Sequence, residues 1–299
     1  MSKRITVIGS SNSDMVIQLD HLPVPGETII GNQFSMHQGG KGANQAVAAA
    51  RLGGDVTFIC RVGNDMFGQE SINHYNREGI DTSLITIDRI EASGTALIMV
   101  DKDGENSIAV GLGANKNLEP ALVKNGLEAI QSSSYVLTQL ETPIETIEEI
   151  GKTCRTHNVP FILNPAPARE LSDELLSQVD IITPNAIETY HLTGIEIDGE
   201  RSLQDASSKL HGHGVATIII TLGDQGAYLS SDDFSGYIAT NKVDVVDTTA
   251  AGDTFNGALV VALSEGLTLA DAVAFANRAA AYSVGRLGAQ SSIPYRKDL

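Results

Sequence analysis

Tyr135-Val136-Leu137-Thr138-Gln139-Leu140-Glu141 opens the most regular part of the sequence. It is an apolar run of strand length that ends on a carboxylate. From here onward such runs alternate with helix-forming stretches. Further runs stand at 161–163 before Asn164, at 181–183 before Asn185, and at 217–221, where Thr221 precedes Gly223. Continuously apolar strands separated by helix-length segments indicate a parallel sheet covered by helices on both faces. The expected fold class is therefore α/β, a three-layer α/β/α arrangement with a mainly parallel central sheet. Ligands of open α/β sheets bind outside the carboxyl ends of the strands, and here those ends carry Glu141, Asn164, Asn185 and Thr221. One polar residue there could simply be a strand reaching water; the set points to a site.

Upstream, 5–8 reads as a buried strand and 55–62 as another, with helices predicted over 43–52 and 66–78. The segments 15–19, 28–30 and 34–37 read as short strands interrupted by Pro23, Pro25 and Gly26. The runs 95–100 and 106–110 flank Asp101-Lys102-Asp103-Gly104, a hairpin signal. Together these pieces predict a small sheet separate from the main one. Downstream, 252–265 and 269–284 read as two closing helices rich in Ala. No repeat, low-complexity tract or linker divides the chain, so one domain over 1–299 is expected.

Of the 299 residues, 20 are Lys or Arg and 37 are Asp or Glu, a net charge of −17. That excess argues against nucleic acid or an anionic membrane surface as a partner, because either would repel the chain. An anionic substrate would have to be held locally, by helix N-termini, a divalent cation or a few placed donors. No run approaches the ~18 apolar residues of a membrane helix, and the stretch before Gly9 is too short for a signal segment. Cys60 and Cys154 are too few for a disulfide framework and lie in apolar or amphipathic runs, which suggests buried free thiols. A cytoplasmic protein is the expectation.

The strongest chemical signal is Asp247-Thr248-Thr249-Ala250-Ala251-Gly252-Asp253-Thr254-Phe255-Asn256-Gly257-Ala258. Small residues at 250–252 let a ligand approach the backbone, and the helix that follows presents unpaired N–H groups to an anion. Asp253 falls in the first turn, where a carboxylate is favoured by the helix dipole. An isolated Gly-Asp would be only a helix start. Beside amides suited to phosphate, it supplies a base and a charge stabiliser at one point.

A second signal, Gly39-Gly40-Lys41-Gly42-Ala43-Asn44, again runs glycines into a helix, but without P-loop spacing. It suits close approach of a small hydroxylated ligand. In Gly9-Ser10-Ser11-Asn12-Ser13-Asp14, at the end of the first strand, Asn12 and Asp14 could accept hydrogen bonds from vicinal hydroxyls. Two motifs are decoys. Gly111-Leu112-Gly113 has Lys116 where a dinucleotide fingerprint needs its third glycine, and His211-Gly212-His213 has no second ligand cluster nearby. No Gly-x-Ser-x-Gly element marks a hydrolase nucleophile.

The segments 39–44, continued by Gly53 and Gly63, and 247–253 resemble the two signatures of the ribokinase (PfkB-type) family of carbohydrate kinases. The resemblance extends through Leu140-Glu141-Thr142-Pro143, Asn164-Pro165-Ala166-Pro167-Ala168-Arg169-Glu170-Leu171 and Thr221-Leu222-Gly223, essentially the whole chain. The form Gly-Gly-Lys-Gly-Ala-Asn-Gln-Ala is the more specific of its features. It implies transfer of phosphate from ATP to the 5-hydroxyl of ribose, with deoxyribose or another furanose as the alternative acceptor. By the resemblance, Asn12, Asp14, Gly40, Lys41, Gly42, Asn44 and Glu141 would hold the pentose.

Asn185, Thr221, Gly223, Gly226, Gly252 and Asn277 would hold ATP, and Asn185 with Glu188 matches an Asn-x-x-Glu element associated with Mg²⁺ and phosphate. A monovalent cation, usually K⁺, would take Asp247, Thr249, Ser283, Arg286, Gly288 and Ser292. Asp253 would be the catalytic base, with the amides of Ala250, Ala251, Gly252 and Asp253 stabilising the transferred phosphoryl group. The small sheet, about 12–40 and 95–112, would form a β lid that excludes water and also joins two copies as a homodimer. One departure is Ala186, where many members carry Glu. A non-catalytic sugar or nucleotide sensor is the rival class. It would tolerate a degraded Gly-Asp, whereas Gly252-Asp253 is intact.

Overall fold

The computed structural model describes residues 4–299; the first three residues of the expected domain lie outside the described residues. The main sheet has the strand order Ser235–Ile238, Ala227–Ser230, Thr217–Thr221, Ile181–Ile182, Phe161–Leu163, Tyr135–Thr138, Arg4–Ile8 and Asp55–Ile59. The six strands from Thr217–Thr221 to Asp55–Ile59 pair in parallel. The other two add an antiparallel edge that the sequence reading did not contain. Residues 222–226 are too short a connection for a crossover, so the chain can only turn back on itself.

Alternate side chains of the same strands enter opposite layers. Ile5, Val7, Leu137, Ile162 and Ile219 pack with the helices Lys41–Arg51, Ala251–Ser264 and Leu269–Val284. Ile8, Val136, Phe161, Leu163 and Ile218 pack on the other side with the helices Ile144–His157 and Glu200–Gly212. Both faces of the sheet are therefore dry, as continuous apolar strands require. The expected three-layer α/β/α fold is the one observed.

The second sheet, in the order Gln33–Gly39, Asn12–Gln18, Gly94–Val100, Asn106–Gly111, brings together the early strands and the hairpin. Its strand Asn12–Gln18 starts earlier than the expected 15–19, so Asn12 and Asp14 sit on a ladder and not in a turn. Residues 28–30 form no strand: Ile30 is 93% exposed and the segment follows a turn closed by Glu27 N to Val24 O. The single strand expected over 55–62 divides at Cys60. Asp55–Ile59 stays in the main sheet, whereas Arg61–Gly63 pairs with Thr86–Asp88 in a separate ladder. The Arg61 guanidinium, bonded to Asp88 and to the Asn117 carbonyl, holds it there. Cys60 and Cys154 are buried and unpaired, and burial raises both thiol pKa values, that of Cys154 to about 12.

One contact sets the distance between the two helices that matter most for the site. A Cβ on Gly257 would run into Ala48 Cβ and lie 2.9 Å from Gln45 O and Ala49 N, so the helix Ala251–Ser264 lies directly on Lys41–Arg51. Gly257→Ala is expected to cost about 1–3 kcal/mol through overpacking. Urea unfolding checks this: a lower midpoint is expected, and an unchanged one would contradict the close approach.

Candidate active site

The helix Ala251–Ser264 begins with Ala250 in the left-handed region, φ 59° and ψ 14°, a conformation an alanine rarely adopts. That turn lets Ala251 N reach Thr248 O at 3.2 Å, and Thr254 N makes the first helical bond, to Ala250 O, at 2.8 Å. The amides of Gly252 and Asp253 lie between them, in the first turn, where no carbonyl of the helix can reach them. A Cβ on Gly252 would meet nothing within 4 Å, so packing does not demand a glycine there. The open space is a cleft of about 190 Å³ lined by 250–253, Lys41, Asn164, Asn185, Glu188 and Thr221. It lies at the carboxyl ends of the parallel strands, as the polar strand ends implied.

Asp253 is only 6% exposed. Its carboxylate is held by the neighbouring helix: Asn44 Nδ2 donates to Oδ2 at 2.9 Å and Gln45 Nε2 to Oδ1 at 3.0 Å. That helix starts at Lys41, after Gly40 at φ 87°, and its first amides are already engaged. Lys41 N donates to Glu141 Oε2 at 2.9 Å, Ser10 Oγ donates to the same oxygen at 2.5 Å, and Gly42 N donates to Ser10 Oγ at 3.2 Å. Glu141 therefore ties the helix start to the loop after the first strand. Asn12 Oδ1 accepts from Asn115 Nδ2 at 2.8 Å, which fixes the head of the strand Asn12–Gln18.

The charges converge on Lys41. Asp253 raises its pKa most, burial opposes this, and Glu141 and Glu188 raise it further. Glu188 is itself raised by burial, partly offset by the Asn185 backbone bond and by Lys41. Burial, then the Glu141 and Asp253 charges, push Asp14 up to about 6.

The nucleotide residues expected from the resemblance divide in two. Asn185 and Thr221 line the cleft, and Asn185 with Glu188 forms a capping box, Oδ1 accepting from Glu188 N and Oε2 from Asn185 N, both at 2.8 Å. Gly223 is exposed on open space. By contrast, Gly226 is packed against the strand Ser235–Ile238, and Asn277 Nδ2 donates to Ile238 O at 2.8 Å, so both hold the antiparallel edge in place.

Asp247 joins two loops. It accepts from Thr249 N at 2.9 Å, Thr249 Oγ1 at 2.6 Å and Gly288 N at 2.8 Å. Burial works against its charge, but these bonds outweigh it and lower its pKa. Ser283 and Ser292 spend their hydroxyls on Ala280 O and Ala289 O, and Arg286 stacks on Tyr282.

Sequence reasoning missed Gln45, Gln139, Asn256 and Gln290, which surround the cleft residues with amide hydrogen bonds. The signal for Gln45 was present, since residues 41, 44, 45 and 48 share one helix face. His211 bonds Val215 O and Ser230, and His213 faces Asp173 at 2.9 Å. Among the described residues no cluster of three or more His, Cys, Asp or Glu could hold a metal ion, and no helix is long and apolar enough to cross a membrane.

The sequence matches the family described as pfkB family carbohydrate kinase over residues 2–296. The chain belongs to that family. Among curated pfkB relatives, it is 46% identical over 298 residues to the ribokinase of Haemophilus influenzae, covering 100% of this chain and 97% of that protein. It is 35% identical over 291 residues to the deoxyribokinase of Salmonella typhi, covering 97% and 95%. A solved structure of Arabidopsis thaliana ribokinase complexed with ribose and ATP superposes with a TM-score of 0.94 at 33% identity, covering 99% and 97%.

The raised pKa of Asp14 carries a stability cost with a definite sign. The carboxyl ionises near 3.8 when unfolded and near 6 when folded, so the penalty on the folded state is absent below 4, builds as pH rises from 4 to 6 and is complete above 6. Asp14→Asn is expected to stabilise the ligand-free protein by on the order of 1–3 kcal/mol at pH 7.5. About half of that gain should remain at pH 5. Urea unfolding at the two pH values checks it; a gain independent of pH would show that Asp14 is not the titrating group.

Proposed function

We propose that this pfkB kinase transfers the γ-phosphoryl group of ATP to the 5-hydroxyl of ribose, with Asp253 as general base. One observation carries the reading: a buried carboxylate stands in the same helical turn as two unsatisfied amides, inside a cleft that also contains a lysine. The ribokinase relatives and the ribose and ATP complex of a close structural neighbour support the choice of substrates.

Asn12, Asp14, Lys41, Asn44 and Glu141 offer acceptors and donors to the sugar hydroxyls. Gly40 and Gly42 keep the helix start close to the segment 9–12, where a Cβ would collide with backbone. ATP lies along Asn185, Thr221 and Gly223, with Gly226 and Asn277 maintaining the strand edge beside it. The 5-hydroxyl gives its proton to Asp253 as its oxygen attacks the γ-phosphorus, and the bond from that phosphorus to the bridging oxygen of ADP breaks. The Gly252 and Asp253 amides face the charge on the phosphoryl oxygens, and Lys41 adds a cation.

Glu188 suits a place near Mg²⁺: it is a buried carboxylate with one oxygen committed to Asn185 N, and burial raises its pKa, a cost that a nearby divalent cation would offset. When bound, Mg²⁺ neutralises phosphate charge. The loops that Asp247 joins by accepting from Gly288 N would be the place for K⁺.

The small sheet serves as a lid. Its register places Asp14, Ala96 and Val110 on one face and Met15, Phe34, Met36 and Leu97 on the other. Phe34, Met36 and Leu97 are 59%, 46% and 53% exposed, an apolar surface suited to a second copy of the chain. The buried free thiols fit a cytoplasmic location.

Asp253→Asn is expected to lower kcat by ~10²–10⁴ while ribose binding persists. Calorimetric titration with ribose and an ATP-consumption assay check this, and more than a tenth of parental turnover would exclude Asp253 as the base. Assays on ribose, deoxyribose and fructose, with and without potassium, are expected to favour ribose with potassium. Faster turnover of deoxyribose would move the chain to the deoxyribokinase reading.

A further inference from the structure

The base of a phosphoryl transfer must hold its lone pair in a fixed direction, and the surroundings of Asp253 show what fixes it. Gln45 is fully buried and every polar position of its amide is used. Its two N–H groups go to Asp253 Oδ1 and Asn164 Oδ1, both at 3.0 Å, and its carbonyl accepts from Gln139 Nε2 at 2.6 Å. Chemistry allows only one orientation. A carboxylate oxygen accepts and cannot donate when ionised, so the nitrogen of Gln45 must face Asp253. Asn164 donates to Thr183 O at 3.1 Å, which can only accept, so its oxygen must face Gln45. Donation therefore runs one way, from Gln139 through Gln45 to the carboxylate, with a branch anchored on backbone. Gln139 Oε1 has no partner, which makes Gln139 the start of the chain.

Asn44 holds the other oxygen and is oriented in turn by Gln290, whose Nε2 donates to Asn44 Oδ1 at 3.1 Å. Asn44 keeps 6% exposure and is a candidate to meet the sugar, whereas Gln45 is shut away behind Asp253 at 0% exposure. From this juxtaposition we infer that Gln45 is a positioning residue for the reaction, acting through Asp253 and not on substrate. It prevents the carboxylate from rotating about its Cβ–Cγ bond and leaves the remaining lone pairs aimed into the cleft. The inference rests on Asp253 being the base.

Gln45→Met keeps length and volume but removes both donors. Misplacing a reacting group by about 1 Å costs up to ~10²-fold, so kcat is expected to fall ~10–100-fold, with ribose and ATP KM within about threefold of the parent. Gln45→Glu keeps the shape and changes the chemistry. While the introduced carboxyl is protonated it can still donate to the base; when that proton leaves, the donor becomes a second negative charge. The kcat of Gln45→Glu is therefore expected to show a fall with rising pH that Gln45→Met does not show. In case Gln45→Met does not fold, Gln139→Met, which leaves Gln45 in place but takes away the donor to its carbonyl, is expected to lower kcat ~3–10-fold with the same split.

Steady-state kinetics across pH on these variants and on Asp253→Asn decide between outcomes. A kcat for Gln45→Met within twofold of the parent, or a loss carried by ribose KM, would overturn the inference. So would parallel pH profiles for Gln45→Glu and Gln45→Met. Near-parental turnover of Asp253→Asn would instead remove the base itself, so the two failures are distinguishable.

Discussion

A carboxylate buried to 6% exposure has to be matched by donors at both oxygens, and in this chain the match is made between two helices. Asn44 and Gln45 come from one and Asp253 from the other, so neither helix can shift without breaking a buried charged hydrogen bond. The absence of a side chain at Gly257 brings the helices close enough for this contact. The same contact sets the cleft, because Lys41 at the start of the first helix and residues 251–253 at the start of the second both line it. Packing and chemistry are linked through it.

The acid excess has a corresponding explanation. A protein of net charge −17 has no surface field to draw in a polyphosphate. What the cleft offers is local: unsatisfied amides in the first turn of Ala251–Ser264, one lysine, and carboxylates suited to a cation. Lys41 is surrounded by Asp253, Glu141 and Glu188, and that crowding raises its pKa and keeps it charged. Burial, with Glu141 and Asp253 adding to it, raises Asp14, so the ligand-free site carries a destabilising charge there at neutral pH.

The layers were legible in the sequence because both sheet faces are buried, which writes each strand as an uninterrupted apolar run. The polar strand ends marked the right end of the sheet for the same reason. The antiparallel edge was harder: Ala227–Ser230 is four residues, and only the short connection after Thr221 reveals its direction. The division of 55–62 was invisible, since Cys60 fits either ladder and the departure depends on Arg61 meeting Asp88 and Asn117 across distant sequence. Asp253 and Asn44 could be read from helix starts, but the amides that orient them could not all be. Gln139 and Gln290 lie in separate segments and meet the site only through the fold.

The central claim is that one helical turn supplies both the base and the anion hole. The most direct test is a crystal structure with ribose and a non-hydrolysable ATP analogue. The ribose 5-oxygen is expected within hydrogen-bond distance of an Asp253 carboxylate oxygen, with the γ-phosphate against the Gly252 and Asp253 amides. A sugar bound with that hydroxyl facing away from Asp253, or a γ-phosphate lodged elsewhere, would contradict it.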